Sequence, residues 1–186
     1  MDLYLIDITK FYEADKPKMK KTQHRVGRSV LKYLLKNNYN IEPNIIEVNG
    51  KPFVEGNSMC FNISHSNKLV GIVFDACNIG LDIEIKKKRN YKSVLKHFGV
   101  NKDVLEDEFF QMWTVYEAEY KSGIKSLLKS FEYENYMMTI SYEKENDLKI
   151  FNIDIVNDDI ENPEIRISNI KKEHIKFLNN LGVKIN

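Results

Sequence analysis

The chain has 186 residues, enough for one ordinary domain or two small halves sharing a core, and 42% of them are hydrophobic. Its 28 Lys and Arg against 27 Asp and Glu leave a net charge of +1, which excludes a general pull toward nucleic acid or membrane. Any anion site must come from local clustering. Cys60 and Cys77 lie in apolar runs outside any C-x-x-C pair and read as buried free thiols of a reducing, cytoplasmic compartment. The start, Met1 to Asp7, has no basic leader, and no apolar run approaches the roughly 18 residues of a membrane span.

In chain order, Leu3 to Ile8 alternates weakly and is predicted as a strand. A charged loop follows through Asp15-Lys16-Pro17-Lys18-Met19-Lys20-Lys21. Val26, Val30, Tyr33, Leu34 and Leu35 recur at helical spacing and predict a helix over 22–36, with Thr22 as N-cap and Asn37-Asn38 as the stop. Gly50-Lys51-Pro52 reads as a loop. Met59 to Ser64 is a short apolar segment that ends in Ser64-His65-Ser66. Leu69 to Phe74 and Ile79 to Ile85 read as two strands paired with each other across the turn Asp75 to Asn78. Beyond the basic run Lys86 to Arg89, helices are predicted over 91–98 and 103–122, the second with a candidate break near Glu108 and Gly123 as its cap. Strands follow over 136–142, 148–156 and 165–170, then a terminal helix over 172–180. This order makes the class α+β. The halves 1–100 and 101–186 have roughly similar element order, which hints at a duplication.

Asp82 and Glu84 stand two apart on a predicted strand, so both carboxylates face one side while Leu81, Ile83 and Ile85 face a core. Like charges on one face repel, and a divalent cation relieves them; hard carboxylate oxygens suit Mg²⁺. The plain alternative is a solvated acidic face. On the following helix, Trp113, Glu117 and Lys121 share a face, and the plain reading there is a surface salt bridge between Glu117 and Lys121. Lys20, Lys21, His24, Arg25 and Arg28, with Lys51 and Ser64-His65-Ser66, are candidate anion contacts; each alone has a bland reading as a solvated or turn residue. Neither a G-x-x-x-x-G-K-[ST] loop nor a G-x-G-x-x-G fingerprint occurs.

Four elements in order resemble the surfactin-type 4'-phosphopantetheinyl transferases: Gly50-Lys51-Pro52, Phe61-Asn62-Ile63-Ser64-His65-Ser66, Gly80-Leu81-Asp82-Ile83-Glu84, and Trp113-Thr114-Val115-Tyr116-Glu117-Ala118-Glu119-Tyr120-Lys121. His24-Arg25 resembles that family's N-terminal basic position. The resemblance spans about residues 20–130. It implies a pseudo-dimer of two similar α/β halves with coenzyme A in the cleft between them, and hence a monomer. It implies that Asp82, Glu84 and Glu117 hold Mg²⁺ and that Lys121 steadies the transferring phosphate and leaving group. Lys21, Arg25, Lys51, Pro52, Ser64 and His65 would then meet coenzyme A. Two departures stand out: Tyr116 replaces the lysine usual before the helical glutamate, and residues after Lys129 match nothing in the family's pattern.

The implied reaction transfers phosphopantetheine from coenzyme A to a serine of an acyl or peptidyl carrier protein, with Glu117 taking the serine proton directly or through a water it orients. Lys86 to Arg89 reads either as the surface that draws a carrier's acidic helix or as a solvated charge run. Phe109, Phe110 and Met112 read as core rather than as a docking patch. Rival expectations are a homologue that binds without turnover and an unrelated Mg²⁺-dependent phosphotransferase or nuclease.

Overall fold

The computed structural model describes residues 1–48, 51–56, 59–88, 90–97, 100, 104–124 and 127–179. The first strand, β1 (Asp2–Asp7), leads through a 3-10 turn (Thr9–Phe11) into the long helix α1 (Lys16–Asn38). A hairpin, β2 (Ile45–Val48) and β3 (Lys51–Val54), precedes β4 (Cys60–Ser66), β5 (Leu69–Asp75) and β6 (Ile79–Ile85). Helices α2 (Lys92–His97) and α3 (Glu106–Ser122) come next, followed by β7 (Leu127–Tyr133), β8 (Tyr136–Tyr142), β9 (Lys149–Ile155), β10 (Ile165–Asn169), a 3-10 turn (Lys172–His174) and β11 (Ile175–Leu178).

The strands form two larger sheets, ordered β10-β9-β1-β5-β4 and β11-β7-β8-β6, besides the β2-β3 hairpin. Strand alternation divides the first sheet's side chains between two cores. Tyr4, Ile6, Val70, Ile72 and Phe74 pack with Val26, Val30, Leu31 and Leu34 of α1. Leu3, Leu5, Leu69 and Val73 pack with Leu81, Ile83, Phe131, Met138 and Ile140 of the second sheet. The sheets therefore lie face to face, with α1 outside the first and α3 outside the second. The mixed α+β class follows. A smaller core under α2 and the start of α3 holds Phe109, Phe110 and Met112, each nearly fully buried.

One order of elements occurs twice. A strand leads to a long helix and then a hairpin whose last strand pairs antiparallel with the first: β1, α1, β4, β5 and again β6, α3, β7, β8.

Several expectations need correction. Helix α1 begins at Lys16, because Asp15 caps it by accepting the Lys18 N–H at 3.0 Å and because Pro17 needs no N–H donor in a first turn. The residues read as a charged loop are thus its opening turns. Strands β5 and β6 do not pair: β5 pairs with β1 and β4, and β6 pairs with β8. The connection at residues 76–78 crosses from one sheet to the other. Lys51 and Pro52 lie on a strand rather than in a loop, while Gly50 is outside the described residues. Helix α3 has no break at Glu108, whose carboxylate accepts the Leu105 N–H at 3.2 Å and caps the start. Strand β7 was not anticipated. The predicted terminal helix is a short turn and a strand, because Ile175 enters the core between the sheets and β11 pairs with β7. Cys60 and Cys77 are half-buried rather than buried.

Candidate active site

Asp82 and Glu84 occupy alternate positions of β6 that face α3. Gly80, one alternation earlier on that face, permits the contact: a Cβ there would stand 2.1 Å from the Ala118 carbonyl oxygen and 2.7 Å from the Ser122 nitrogen. Helix α3 runs antiparallel to β6, so Trp113 meets Glu84 and Lys121 meets Asp82, with Glu117 between them on the same face. The Trp113 Nε1–H donates to Glu84 Oε1 at 3.0 Å. Lys121 Nζ donates to Asp82 Oδ1 at 2.6 Å, to the Leu81 carbonyl at 3.1 Å and to Ser64 Oγ at 3.2 Å. The ion pair of Lys121 is therefore with Asp82 across the helix–strand contact, not with Glu117 along the helix as the plain reading had it.

Asp82 is only 5% exposed, and among the described residues its buried Oδ2 finds no hydrogen-bond partner. Burial lifts its carboxyl to about 6; Lys121 pulls in the opposite direction, and the charges of Glu84 and Glu117 push it further up. Among the described residues, no three His, Cys, Asp or Glu side chains converge into a ready cage for a metal. The donor chemistry nevertheless fits a hard cation. There is an acceptor atom buried without a donor, two further carboxylates close enough to raise the same titration, and an ammonium already drawn into the position of positive charge.

The edge of β6 is joined to β4 by side chains. Asn62 Oδ1 accepts the Leu81 N–H at 3.1 Å, Ser64 Oγ accepts the Ile83 N–H at 3.2 Å, and Ser66 Oγ accepts the Ile85 N–H at 3.0 Å. Ser64 and Ser66 also donate to Asp82 Oδ1 at 3.3 Å and to Glu84 Oε2 at 3.4 Å. The Ser64 hydroxyl is 4% exposed as a residue and engaged on all sides, so it serves the carboxylate directly. The sequence singled out Ser64, His65 and Ser66 as candidate anion contacts, but not Asn62, and it did not connect the two serines with the carboxylates. The signal was present: small polar side chains at 62, 64 and 66 alternate with Phe61 and Ile63 along one strand.

His65 points to the opposite face, toward α1. Its ring meets the His24 ring edge-on, centroids 5.0 Å apart. Burial, helped by the charges of His24, Lys121 and Lys20, pulls the His65 imidazole down to about 4, so it is neutral at pH 7. His24 is itself held below the usual range by burial and by Lys20 and Arg28. Lys20 and His24 thus approach His65, whereas Arg25 turns aside to pair with Glu161 at 2.8 Å and Lys21 is exposed. Lys51 Nζ donates to the Lys121 carbonyl at 2.8 Å, at the C-terminal end of α3. Beside it opens a small cleft of about 70 Å³, lined among others by Lys51, Pro52, Phe53, Asn62, Ile79 and Lys121. Of the basic run, Lys86 is tied to Asp107 at 3.2 Å and Glu132 at 3.1 Å; Lys87 and Lys88 are exposed, and Arg89 is outside the described residues.

The fold and site define a mixed α+β protein with an acidic, lysine-backed centre where two sheets meet. No family model matches the chain. Part of it is similar to a Haemophilus influenzae protein named "Putative 4'-phosphopantetheinyl transferase", with 30% identity over 86 residues. The match covers 39% of this chain and 37% of that relative, well under half the length of either. The similarity supports kinship with the 4'-phosphopantetheinyl transferases at large and selects no subfamily. No helix among the described residues is long and apolar enough to cross a membrane.

Proposed function

We propose that the chain is a surfactin-type 4'-phosphopantetheinyl transferase. It moves the phosphopantetheine arm of coenzyme A to a serine of an acyl or peptidyl carrier protein and releases 3',5'-ADP. The observation that carries this reading is buried Asp82, with one oxygen unpartnered and the other on Lys121, faced by Glu84 and Glu117. The partial similarity to a protein of that name supports the same chemistry.

Asp82, Glu84 and Glu117 would hold Mg²⁺, which when bound withdraws charge from pyrophosphate oxygens. Glu117, half-exposed at the middle of the helix face, takes the proton of the carrier serine hydroxyl. Lys121 offsets charge on the oxygen that leaves with 3',5'-ADP. Lys51 and Pro52, on the cleft wall, and His65, with Lys20 and His24 beside it, contact the nucleotide end of coenzyme A. Lys21 and Arg25 lie on the adjoining strip of α1, and Arg25 must leave Glu161 to reach a phosphate. Ser64 acts through Asp82.

The repeated element order supports a two-halved pseudo-dimer with the site at its seam. Drawn by that order, the second half begins at β6 rather than near residue 101. Such a chain contains both halves of its own cleft and acts as a monomer in the cytoplasm.

The test incubates candidate carrier proteins with coenzyme A, Mg²⁺ and the chain. Mass spectrometry reads the phosphopantetheine adduct, and chromatography reads 3',5'-ADP. Both products should appear. Stabilisation by coenzyme A with no adduct would instead mark a binding homologue, and indifference to coenzyme A would mark a different phosphotransferase or a nuclease.

A further inference from the structure

The carboxylate strand β6 is bound on its two edges in different ways. Its β8 edge forms an ordinary antiparallel ladder from Ile79 to Ile85. Its other edge meets β4, and there the acceptors for three alternate backbone N–H groups are side chains: Asn62 for Leu81, Ser64 for Ile83 and Ser66 for Ile85. The two serines repeat one geometry. Each accepts the N–H of the residue that follows a carboxylate and donates its own proton to that carboxylate, Ser64 to Asp82 and Ser66 to Glu84.

A hydroxyl has one proton and two lone pairs. In Ser64 they are all used: the proton goes to Asp82 Oδ1, and the lone pairs take Ile83 N–H and Lys121 Nζ. Each serine is therefore a fixed bracket between the backbone and the carboxylate of one β6 dipeptide. A ladder of backbone bonds on this edge would place carbonyls beside the carboxylates, whereas the serines place donors there. On the other side of Glu84 stands the Trp113 indole N–H, so this carboxylate has a donor to each oxygen. Held groups lose less freedom when they take a ligand, and hydrogen-bonded ligands of metals depend on such partners.

We infer that Ser64 and Ser66 are positioning residues, through which β4 of one sheet orients the divalent-cation carboxylates Asp82 and Glu84 of the other. This rests on the metal reading proposed above. It adds that divalent affinity depends on a hydroxyl at 66, a side chain bonded to the Ile85 N–H and to Glu84 Oε2.

The chain has a single tryptophan, Trp113, and its indole is bonded to Glu84. Quenching of its emission by Mn²⁺ alone, with no substrate present, reports occupancy at that carboxylate. Ser66→Ala should weaken Mn²⁺ binding about 10-fold, the lower range for loss of a ligand's hydrogen-bond partner, and Ser64→Ala should do so at least as strongly. Ser66→Thr, which keeps the hydroxyl, should stay within about threefold of the parent. Ser130→Ala removes a buried hydroxyl from the sheet that carries the carboxylates, bonded to Thr139 at 2.9 Å. It should lower the unfolding midpoint and leave Mn²⁺ affinity unchanged. Parent-like binding by Ser66→Ala, or equal weakening by Ser130→Ala, overturns the positioning role and leaves the metal reading intact. Parent protein that Mn²⁺ does not quench, or quenching that survives Asp82→Asn, overturns the metal reading and this inference with it.

Discussion

Asp82 is under two opposed demands. Burial and the neighbouring Glu84 and Glu117 disfavour its charge, and Lys121 favours it; the outcome is a carboxyl at about 6, above the 3.8 of an ordinary aspartate. A raised carboxyl favours folding only while it is protonated. That contribution is full below about 3.8 and is lost as pH rises through about 6. In chelator at pH 7.5, Asp82→Asn should therefore show a urea midpoint no lower than the parent, while phosphopantetheine transfer is nearly abolished. A clear fall in midpoint would mean that the Lys121 pairing outweighs the burial cost. Lys121 keeps the Leu81 carbonyl and Ser64 in that variant. Its own removal, Lys121→Ala, should slow transfer about 100-fold or more, the scale of one charge-stabilising donor; under threefold would return it to a structural ion pair. His65 has the opposite sign. Its fold-imposed value of about 4 lies below the ordinary 6.5, so its contribution is present above about 6.5 and is lost as pH falls toward 4. Between those limits the parent should lose urea stability more steeply than His65→Asn.

At the scale of elements, the site depends on how closely α3 can approach β6. The two obstructing atoms at Gly80 belong to the helix backbone and cannot rotate away. Gly80→Ala should then push α3 outward, cost about 2 kcal/mol or more in a urea melt, and remove transfer by separating Lys121 from Asp82. Unchanged stability and activity would show that the helix has slack. The apolar periodicities of α1 and of β8, and the glycine after α3, were legible in the sequence because local geometry sets them. Gly123 takes the left-handed cap conformation (φ 73°) with its N–H on the Glu119 carbonyl at 2.9 Å. The start of α1 was misread because Asp15 and Pro17 were taken as loop formers, when both suit a helix N-terminus. Strand β7 went unseen because Lys129, Ser130 and Glu132 break its apolar run. Ser130 is nevertheless buried, and its partner is Thr139 on β8, which no local pattern reveals.

For the whole molecule, β9 returns from the second sheet's side of the chain to pair parallel with β1, and the Met1 ammonium donates to the Asp147 carbonyl at 2.9 Å. Residues 2–7 and 149–155 thus close one core. Unfolding followed by fluorescence of Trp113, on α3, and by far-ultraviolet circular dichroism should give coincident curves. A chain ended at Asp147 should lose cooperative melting, because Ile153 and Ile155 no longer cover the α1 core; two separable transitions would show that the sheets fold independently. The sequence by itself determined the α+β class, the shared face of Asp82 and Glu84, and the shared face of Trp113, Glu117 and Lys121, since strand and helix periods are local properties of the backbone. Tertiary structure alone decided that β5 and β6 part into different sheets, that Lys121 answers Asp82, and that Ser64 and Ser66 bracket the carboxylates. Those are long-range contacts, set by which edges and faces meet when the cores close, and no spacing along the chain encodes them.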